Sequence, residues 1–231
     1  MTATVPDPAF NPTGDHATGD HPTGNHPAGN VVIERWSPAR MRARLSEIIG
    51  VYKAAFLDVH ESDPRRAAIE RTMHARRHTE RRDLRVVVAL TSANRVAGFG
   101  YALPGQDGQW WHDVVRGALA PEDGEFWLGS CLEIVELHVR PEFQGRGIGR
   151  AVIRELVRDA PFRTAALSAL EIPGSRARRL YASEGFQPLL SHFQFPGSTI
   201  EYAVLARRLP PPSSAGRSRS RAGSRWPASA R

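Results

Sequence analysis

Several short segments of the chain alternate between apolar and polar positions with the period of two that is typical of β-strands. LRVVVALT and RVAGFGYAL form the clearest pair, and the three residues between them, Ser92 to Asn94, predict a hairpin. The longest strand candidate is FWLGSCLEIVELHV. The predicted strands span residues 30–36, 84–91, 95–103, 126–139, 164–172, 186–195 and 199–207.

Between these strands, apolar residues recur every three or four positions, which predicts amphipathic helices. Asp63 and Pro64 are placed to begin one of them, as the N-cap and the first helical residue. The predicted helices span residues 41–56, 64–78, 108–119, 147–160 and 175–185. Because an antiparallel first half precedes alternating strands and helices, we expect an α/β fold with a mixed sheet covered by helices.

The two ends of the chain differ from the middle. Residues 1–29 are rich in Gly, His and Pro and contain a five-residue repeat, while residues 210–231 are rich in Arg and Ser. Both ends have too little apolar surface to offset the entropy of ordering, so we predict disordered tails around a domain at residues 30–209. His16, His21 and His26 could chelate a metal weakly, but the repeat favours a flexible tract, and we expect no metal site.

Composition narrows the class of protein. The chain is 41% hydrophobic and 24% charged, as in ordinary globular proteins, and it has one cysteine and therefore no intrachain disulfide. No apolar run approaches the roughly 18 residues of a membrane span, and the first residues do not resemble a signal peptide. We expect a cytoplasmic protein without a membrane partner. Much of the net charge of +7 lies in the C-terminal tail, and we expect no specific nucleic-acid binding.

The stretch EIVELHVRPEFQGRGIGR, residues 133–150, carries the strongest chemical signal. A strand that ends at Val139 and a helix that begins near Gly147 place the backbone N–H groups of residues 145–150 at a helix N-terminus, which is an anion site. Glycines at every second position allow a bulky anion such as a diphosphate to approach the backbone closely. Arg146 and Arg150 add positive charge.

Two other phosphate-binding loops fit this stretch less well. The dinucleotide fingerprint requires a third glycine where Arg150 stands, although Glu171 could act as the ribose-binding acid. A Walker loop requires Gly-Lys-Ser/Thr, and the single lysine of the chain, Lys53, is far away. A dinucleotide-binding loop therefore stays open as the weaker hypothesis.

Two motifs in this region resemble those of the Gcn5-related N-acetyltransferase (GNAT) superfamily. Gln144 to Gly149 match the Q/R-x-x-G-x-G/A signature, preceded by the E-L-x-V-x-P run of Glu136 to Pro141. Ala177 to Phe186 match the later A-x-x-L-Y-x-x-x-G-F element. The chain departs from the family pattern at Gly174, where an asparagine is common, and in the Trp110-Trp111-His112 segment, which has no counterpart in the minimal fold.

The resemblance implies a fold, a donor and a reaction. It implies a mixed, mostly antiparallel central sheet of about seven strands flanked by helices, and acetyl-CoA as the donor substrate with no metal. The acetyl group would pass directly to an amine of a small molecule or protein, catalysed by a monomer or homodimer. The residues that would hold acetyl-CoA are Leu137, His138, Val139, Gln144, Gly145, Arg146, Gly147, Ile148, Gly149 and Arg150.

Acetyl transfer requires an acid and a base. Tyr181 occupies the family's tyrosine position and is the candidate acid, unless it only packs its helix on the sheet. Glu133 and Glu136 are the candidate bases; on a regular strand they face opposite sides, so at most one would point into the cleft, and the resemblance slightly favours Glu133. Alternatively, both are strand-end or solvent-facing carboxylates and the proton leaves through water. His138 could join a relay or be structural.

The acceptor and its recognition are the least defined part of the prediction. Residues 59–82 and the segment Trp110 to Asp113 are expected to wall the acceptor cleft, with one tryptophan either lining a pocket or covering an apolar seam. An acidic loop at residues 122–125 could attract a cationic acceptor. The alternative function is a non-catalytic acyl-CoA-binding or sensing module, associated with nucleic acid through its basic tail.

Overall fold

The structure is a computed structural model that describes residues 31–57 and 64–211 of the chain. The predicted N-terminal tail, nearly all of the C-terminal tail and the predicted cap Asp63 lie outside the described residues. The strands are β1 (Val32–Trp36), β2 (Arg85–Leu90), β3 (Val96–Pro104), β4 (Cys131–Val139), β5 (Thr164–Leu170), β6 (Gln187–Gln194) and β7 (Glu201–Arg208).

These strands form one seven-stranded sheet in the order β1-β2-β3-β4-β5-β7-β6. All neighbouring pairs are antiparallel except β4 and β5, which are parallel. The prediction of a mixed, mostly antiparallel sheet is therefore confirmed. The single parallel pair lies near the middle of the sheet, directly before the glycine-rich loop.

Helices cover both faces of the sheet. They are α1 (Pro38–Ala43), α2 (Leu45–Tyr52), α3 (Pro64–His78), α4 (Trp110–Ala118), α5 (Pro121–Leu128), α6 (Ile148–Val157) and α7 (Arg176–Ser183). A π-helical turn, Lys53–Leu57, extends α2. None of the helices that the structure describes is long and apolar enough to cross a membrane.

Two sequence predictions about these elements are wrong. The strand expected at residues 126–139 begins only at Cys131, because Pro121 starts helix α5 and Trp127 and Leu128 bury the inner side of that helix. A short apolar run fits a strand or a helix equally well, so periodicity could not separate the two. The acidic residues 122–125 are consequently helical and do not form a loop.

The two faces of the sheet are packed differently. Helix α6 buries Val152, Ile153 and Leu156, and Gly100 of β3 makes room for it, since a Cβ there would lie 2.9 Å from Leu156 and Val152 side-chain atoms. Helices α2 and α3 cover the other face, where Tyr52 of α2 contacts the ring of His138. We call this second face, over β3 and β4, the cleft face.

Candidate active site

The glycine-rich loop connects the end of β4 to the start of α6. A short 3-10 turn, Pro141–Phe143, follows the strand, and Gly147 is the N-cap of α6. Gly145 and Gly147 have φ angles of 73° and 79°, the left-handed region in which a side chain is strained. A Cβ on Gly147 would meet nothing within 4 Å, so the space above the loop is open.

The backbone of this loop presents donors to that open space. The first N–H groups of a helix have no intrahelical acceptor, and Ala151 N donates to Gly147 O at 3.0 Å as the first such bond of α6. Gln144 Nε2 donates to Val139 O at 3.0 Å, which ties the loop to the end of β4. The backbone N–H groups of residues 145–150 are therefore placed to bind an anion.

A pocket of about 330 Å³ lies on this loop. Besides loop residues it is lined by α7, which contributes Arg176, Arg179, Leu180 and Ser183. Arg176 and Arg179 were not among the predicted acetyl-CoA-binding residues, although their spacing of three on the helix of the second motif was visible in the sequence. Arg150 lines the pocket and is also paired with Glu184 at 3.0 Å. The guanidinium of Arg146 lies instead 5.5 Å from the centre of the Phe143 ring.

Strands β4 and β5 separate immediately below this pocket. They pair at only three positions, the last of which joins Glu133 to Ala166. The rest of β4, through Leu137, His138 and Val139, has no register with β5. The edge of β4 that faces β5 is therefore not used by the sheet beyond Glu133.

A bulge in β4 overturns one prediction about the two glutamates. Glu133 lies opposite Leu103 and Glu136 lies opposite Tyr101, and the register shifts between them. Leu103 and Tyr101 are two apart on β3 and so share a face, and cross-strand partners share that face with them. Glu133 and Glu136 therefore both lie on the cleft face, and the prediction of opposite sides is wrong because the strand is not regular.

Glu136 is held in a buried cluster on the cleft face. Its Oε2 lies 2.6 Å from His138 Nε2, and its Oε1 forms an ion pair at 2.9 Å with Arg71 Nη1. Glu136 is 1% exposed and His138 is fully buried. The ring of His138 packs edge-on against Tyr52 at 4.8 Å. The side chain of His138 is thus enclosed in the protein, and only its backbone lies along the β4 edge.

Tyr181 is fully buried on α7. Its ring packs against Phe186 at 5.7 Å, and its hydroxyl has no hydrogen-bond partner among the described residues. Burial raises the pKa of this phenol well above its usual value of 10, and the negative charge of Glu136 raises the pKa further. The phenol is therefore protonated at neutral pH.

Buried polar atoms that make no well-aligned hydrogen bond are concentrated at this site. Within residues 31–57 and 64–211, four buried side-chain polar atoms make no well-aligned hydrogen bond, and three of them belong to Glu136, His138 and Tyr181. Buried polar groups nearly always find partners, so such atoms mark a functional site more often than a packing fault.

Glu133 and the tryptophan segment lie apart from this cluster. Glu133 is buried where β4 and β5 part, and its charge contributes to the raised pKa of Arg81, after the larger effect of Asp83. Trp111 points inward and donates from Nε1 to Ser168 Oγ at 2.8 Å. Trp110 is half-buried and packs on Phe195, with ring centres 5.3 Å apart.

Comparison with known proteins agrees with this geometry. The sequence profile of the "Acetyltransferase (GNAT) family" matches residues 45–186. A GCN5-like protein acetyltransferase of Mycobacterium tuberculosis is 30% identical over 199 residues, which cover 75% of this chain and 95% of the relative.

Solved structures share the fold. An N-acetyltransferase from Staphylococcus aureus superimposes with a TM-score of 0.54 at 15% identity, over 78% of this chain and 99% of the other. A protein from Salmonella typhimurium, solved with its cofactor acetyl-CoA, superimposes with a TM-score of 0.53 at 16% identity, over 80% and 97% of the two chains. These relatives do not support the dinucleotide hypothesis or the non-catalytic sensing module. The chain belongs to the GNAT family and is an acetyl-CoA-dependent acetyltransferase.

Proposed function

We propose that the protein acetylates a primary amine by direct transfer from acetyl-CoA, with Tyr181 as general acid and Glu136 as the group that accepts the amine proton. The observation that carries this proposal is that Glu136 and Tyr181 are both buried and that each has a polar atom without a well-aligned hydrogen bond among the described residues. The attacking nitrogen and the departing sulfur are bonded to one carbonyl carbon, so acid and base must lie close together. Glu136 is the carboxylate whose charge reaches the Tyr181 phenol.

The reaction then balances without another reactant. The amine nitrogen forms a bond to the thioester carbonyl carbon, and the bond between that carbon and sulfur breaks. The sulfur takes a proton from the Tyr181 hydroxyl, while the nitrogen loses a proton to Glu136, directly or through water. Proton exchange with solvent restores both side chains after the amide and CoA leave.

The loop and the β4 edge suit acetyl-CoA as the donor. We assign the diphosphate to the backbone of residues 144–150, because Gly147 leaves the approach open and the helix N-terminus favours an anion. Arg176 and Arg179 supply further positive charge from α7. The pantetheine arm would follow Leu137, His138 and Val139 along the strand edge that β5 leaves unused.

Glu133, which the sequence analysis slightly favoured as base, has a different place in this proposal. It lies where β4 and β5 begin to separate, and its negative charge helps to raise the pKa of Arg81. We therefore place Glu133 at the acceptor side of the cleft, where a carboxylate would attract an incoming ammonium group. The two glutamates can be separated by experiment, because a base affects turnover and an attracting charge affects acceptor KM.

We also propose that residues 30–209 form the catalytic domain. We further propose that the acceptor amine is carried by a protein. The relative from Mycobacterium tuberculosis is described as a protein acetyltransferase. Helix α3 exposes Arg65, Arg66, Arg76 and Arg77, a charge pattern that repels small polyamines and attracts an amine flanked by acidic residues.

Steady-state kinetics of two variants tests the proposal. Thiol release from acetyl-CoA is followed with spermidine, phenethylamine, a peptide with a free α-amine and a lysine peptide with acidic flanks. We expect the acidic lysine or α-amine peptide to be the best acceptor. Glu136→Gln should lower kcat about 100-fold or more, and Glu133→Gln should mainly raise acceptor KM. The reverse pattern would return the base to Glu133, and intact kcat in both variants would mean that the proton leaves to water.

A further inference from the structure

Four side chains from three elements, one of them Glu136, form a closed ring on the cleft face. Arg71 of α3 pairs with Glu136 at 2.9 Å, and Glu136 contacts His138 at 2.6 Å. The His138 ring packs on Tyr52 of α2 at 4.8 Å, and the Arg71 guanidinium lies 5.2 Å from the centre of that same Tyr52 ring. Each side chain therefore contacts the next.

Arg71 differs from the other arginines of its helix. Helix α3 also contains Arg65, Arg66, Arg76 and Arg77, and these four are exposed. The side chain of Arg71 is only 10% exposed and points toward the sheet. Burying an ion pair costs desolvation energy that the mutual attraction only partly returns, so such a pair is weak evidence for a role in stability. A positional role is the better physical explanation.

The ring fixes how the Glu136 carboxylate is turned. His138 contacts one carboxylate oxygen and Arg71 contacts the other. With both oxygens held, the carboxylate plane cannot rotate about its terminal bond, which is otherwise a soft torsion. Oε1 makes an ion pair but no well-aligned hydrogen bond among the described residues, so it keeps acceptor capacity.

We infer that Arg71 is a positioning residue for acetyl transfer, which acts by orienting the Glu136 carboxylate against His138. The inference rests on the proposed function, because it requires Glu136 to take part in turnover. It also explains why a helix far from the glycine-rich loop in sequence sends one charged side chain into the core of the site. Arg71 does not line the pocket on the loop, so its effect should be absent from acetyl-CoA binding.

A double-mutant cycle tests this inference. Wild type, Arg71→Met, Glu136→Gln and the double variant are compared for kcat with the best amine of the acceptor panel, and for acetyl-CoA dissociation constant by titration calorimetry. We expect Arg71→Met to lower kcat about 10- to 100-fold, as misplacement of a reacting group by about 1 Å does, and to leave the dissociation constant within about twofold. In the Glu136→Gln background the same substitution should change kcat by less than about twofold.

Two further variants serve as controls for this cycle. Arg71→Lys keeps the charge, fills the same space less well and should recover at least half of the lost activity on a logarithmic scale. Arg158→Met is the control, because Arg158 is 62% exposed, pairs with its neighbour Glu155 at 2.6 Å and lies at the end of α6 that is farthest from the loop. It should leave kcat unchanged.

Several outcomes would overturn the inference. Equal losses from Arg71→Met in both backgrounds would show that Arg71 acts independently of Glu136. A loss of acetyl-CoA affinity parallel to the loss of kcat, or no recovery with Arg71→Lys, would indicate a structural role. If Arg71→Met does not fold, the Arg71→Lys variant in both backgrounds gives the same comparison. If Glu136→Gln alone leaves kcat intact, the base assignment of the proposed function fails first, and that failure is visible without any Arg71 variant.

Discussion

The pocket on the glycine-rich loop and the cleft face are built from different parts of the chain and are assigned different roles. The pocket is built from backbone: two glycines with left-handed φ angles, a helix N-terminus and arginines at its rim. The cleft face carries side chains that are far apart in sequence, with Tyr52, Arg71 and Glu136 brought together by two helices and a strand, while Tyr181 is buried on α7, beside α6.

Because of this difference, acetyl-CoA binding and turnover can be changed separately in this protein. A backbone site recognises charge and shape and depends little on any single side chain. A buried side-chain site depends on each member, because a polar group that loses its partner in the interior is costly. Changes in the pocket should therefore affect affinity for acetyl-CoA, and changes on the cleft face should affect turnover.

The largest effect is expected at the Tyr181 phenol. Tyr181→Phe removes the proposed acid and should lower kcat by about 10²- to 10⁴-fold with acetyl-CoA affinity nearly unchanged. The hydroxyl is buried without a described partner, so its removal should not lower the melting temperature. Kinetics and thermal unfolding of the same preparation check both statements. Equal losses in kcat and in acetyl-CoA affinity would point to a packing role for Tyr181.

The next effect is expected in the pocket. Gly147→Val places a branched side chain at a φ of 79° and in the space assigned to the diphosphate, and should weaken acetyl-CoA binding by about 100-fold or more. Calorimetric titration measures the loss directly. Retained affinity would contradict the anion-site assignment.

Gly108 offers a matched control for that substitution. Its φ is 87°, and a Cβ there also meets nothing within 4 Å, but it precedes helix α4 and does not line the pocket. Gly108→Val therefore carries the same kind of backbone strain without blocking the loop. We expect it to lower stability and to leave acetyl-CoA affinity unchanged, so that the two effects of Gly147→Val can be separated.

A smaller effect is expected from the arginines at the pocket rim. Replacing both Arg176 and Arg179 by alanine should raise the acetyl-CoA dissociation constant about tenfold, or about 1.4 kcal/mol, and make binding less sensitive to salt. Arg178→Ala is the control, because Arg178 lies on the same helix, pairs with Glu171 beyond the end of β5 and does not line the pocket. An equal effect of Arg178→Ala would mean that α7 contributes only through general charge.

The smallest effect is expected at the chain ends. Deleting residues 1–29 and 210–231 should change the free energy of unfolding by less than about 1 kcal/mol, since neither tail has the apolar surface to form a core. Leu209 is buried and donates its N–H to Arg163 O at 2.8 Å, so the shortened chain must retain it. A large drop in melting temperature would show that the domain extends beyond residues 30–209.

Sequence reasoning was effective where the signal is local. The glycine spacing, the strand before it and the helix after it predicted the loop, because turn geometry and helix starts depend on neighbouring residues. It failed where long-range packing determines strand register or the direction of a side chain. The bulge between Glu133 and Glu136 depends on pairing with β3, and the inward turn of Arg71 depends on how α3 lies on the sheet. In the sequence, Arg71 looks the same as the exposed arginines around it.

The most direct test of the account is a crystal structure of the protein with CoA bound. We predict that the diphosphate accepts hydrogen bonds from the backbone N–H groups of residues 145–150 and that the CoA sulfur lies within hydrogen-bonding distance of the Tyr181 hydroxyl. We also predict that Glu136 remains paired with Arg71 and His138 beside that sulfur. A diphosphate bound away from the loop, or a sulfur that Tyr181 and Glu136 do not reach, would contradict it.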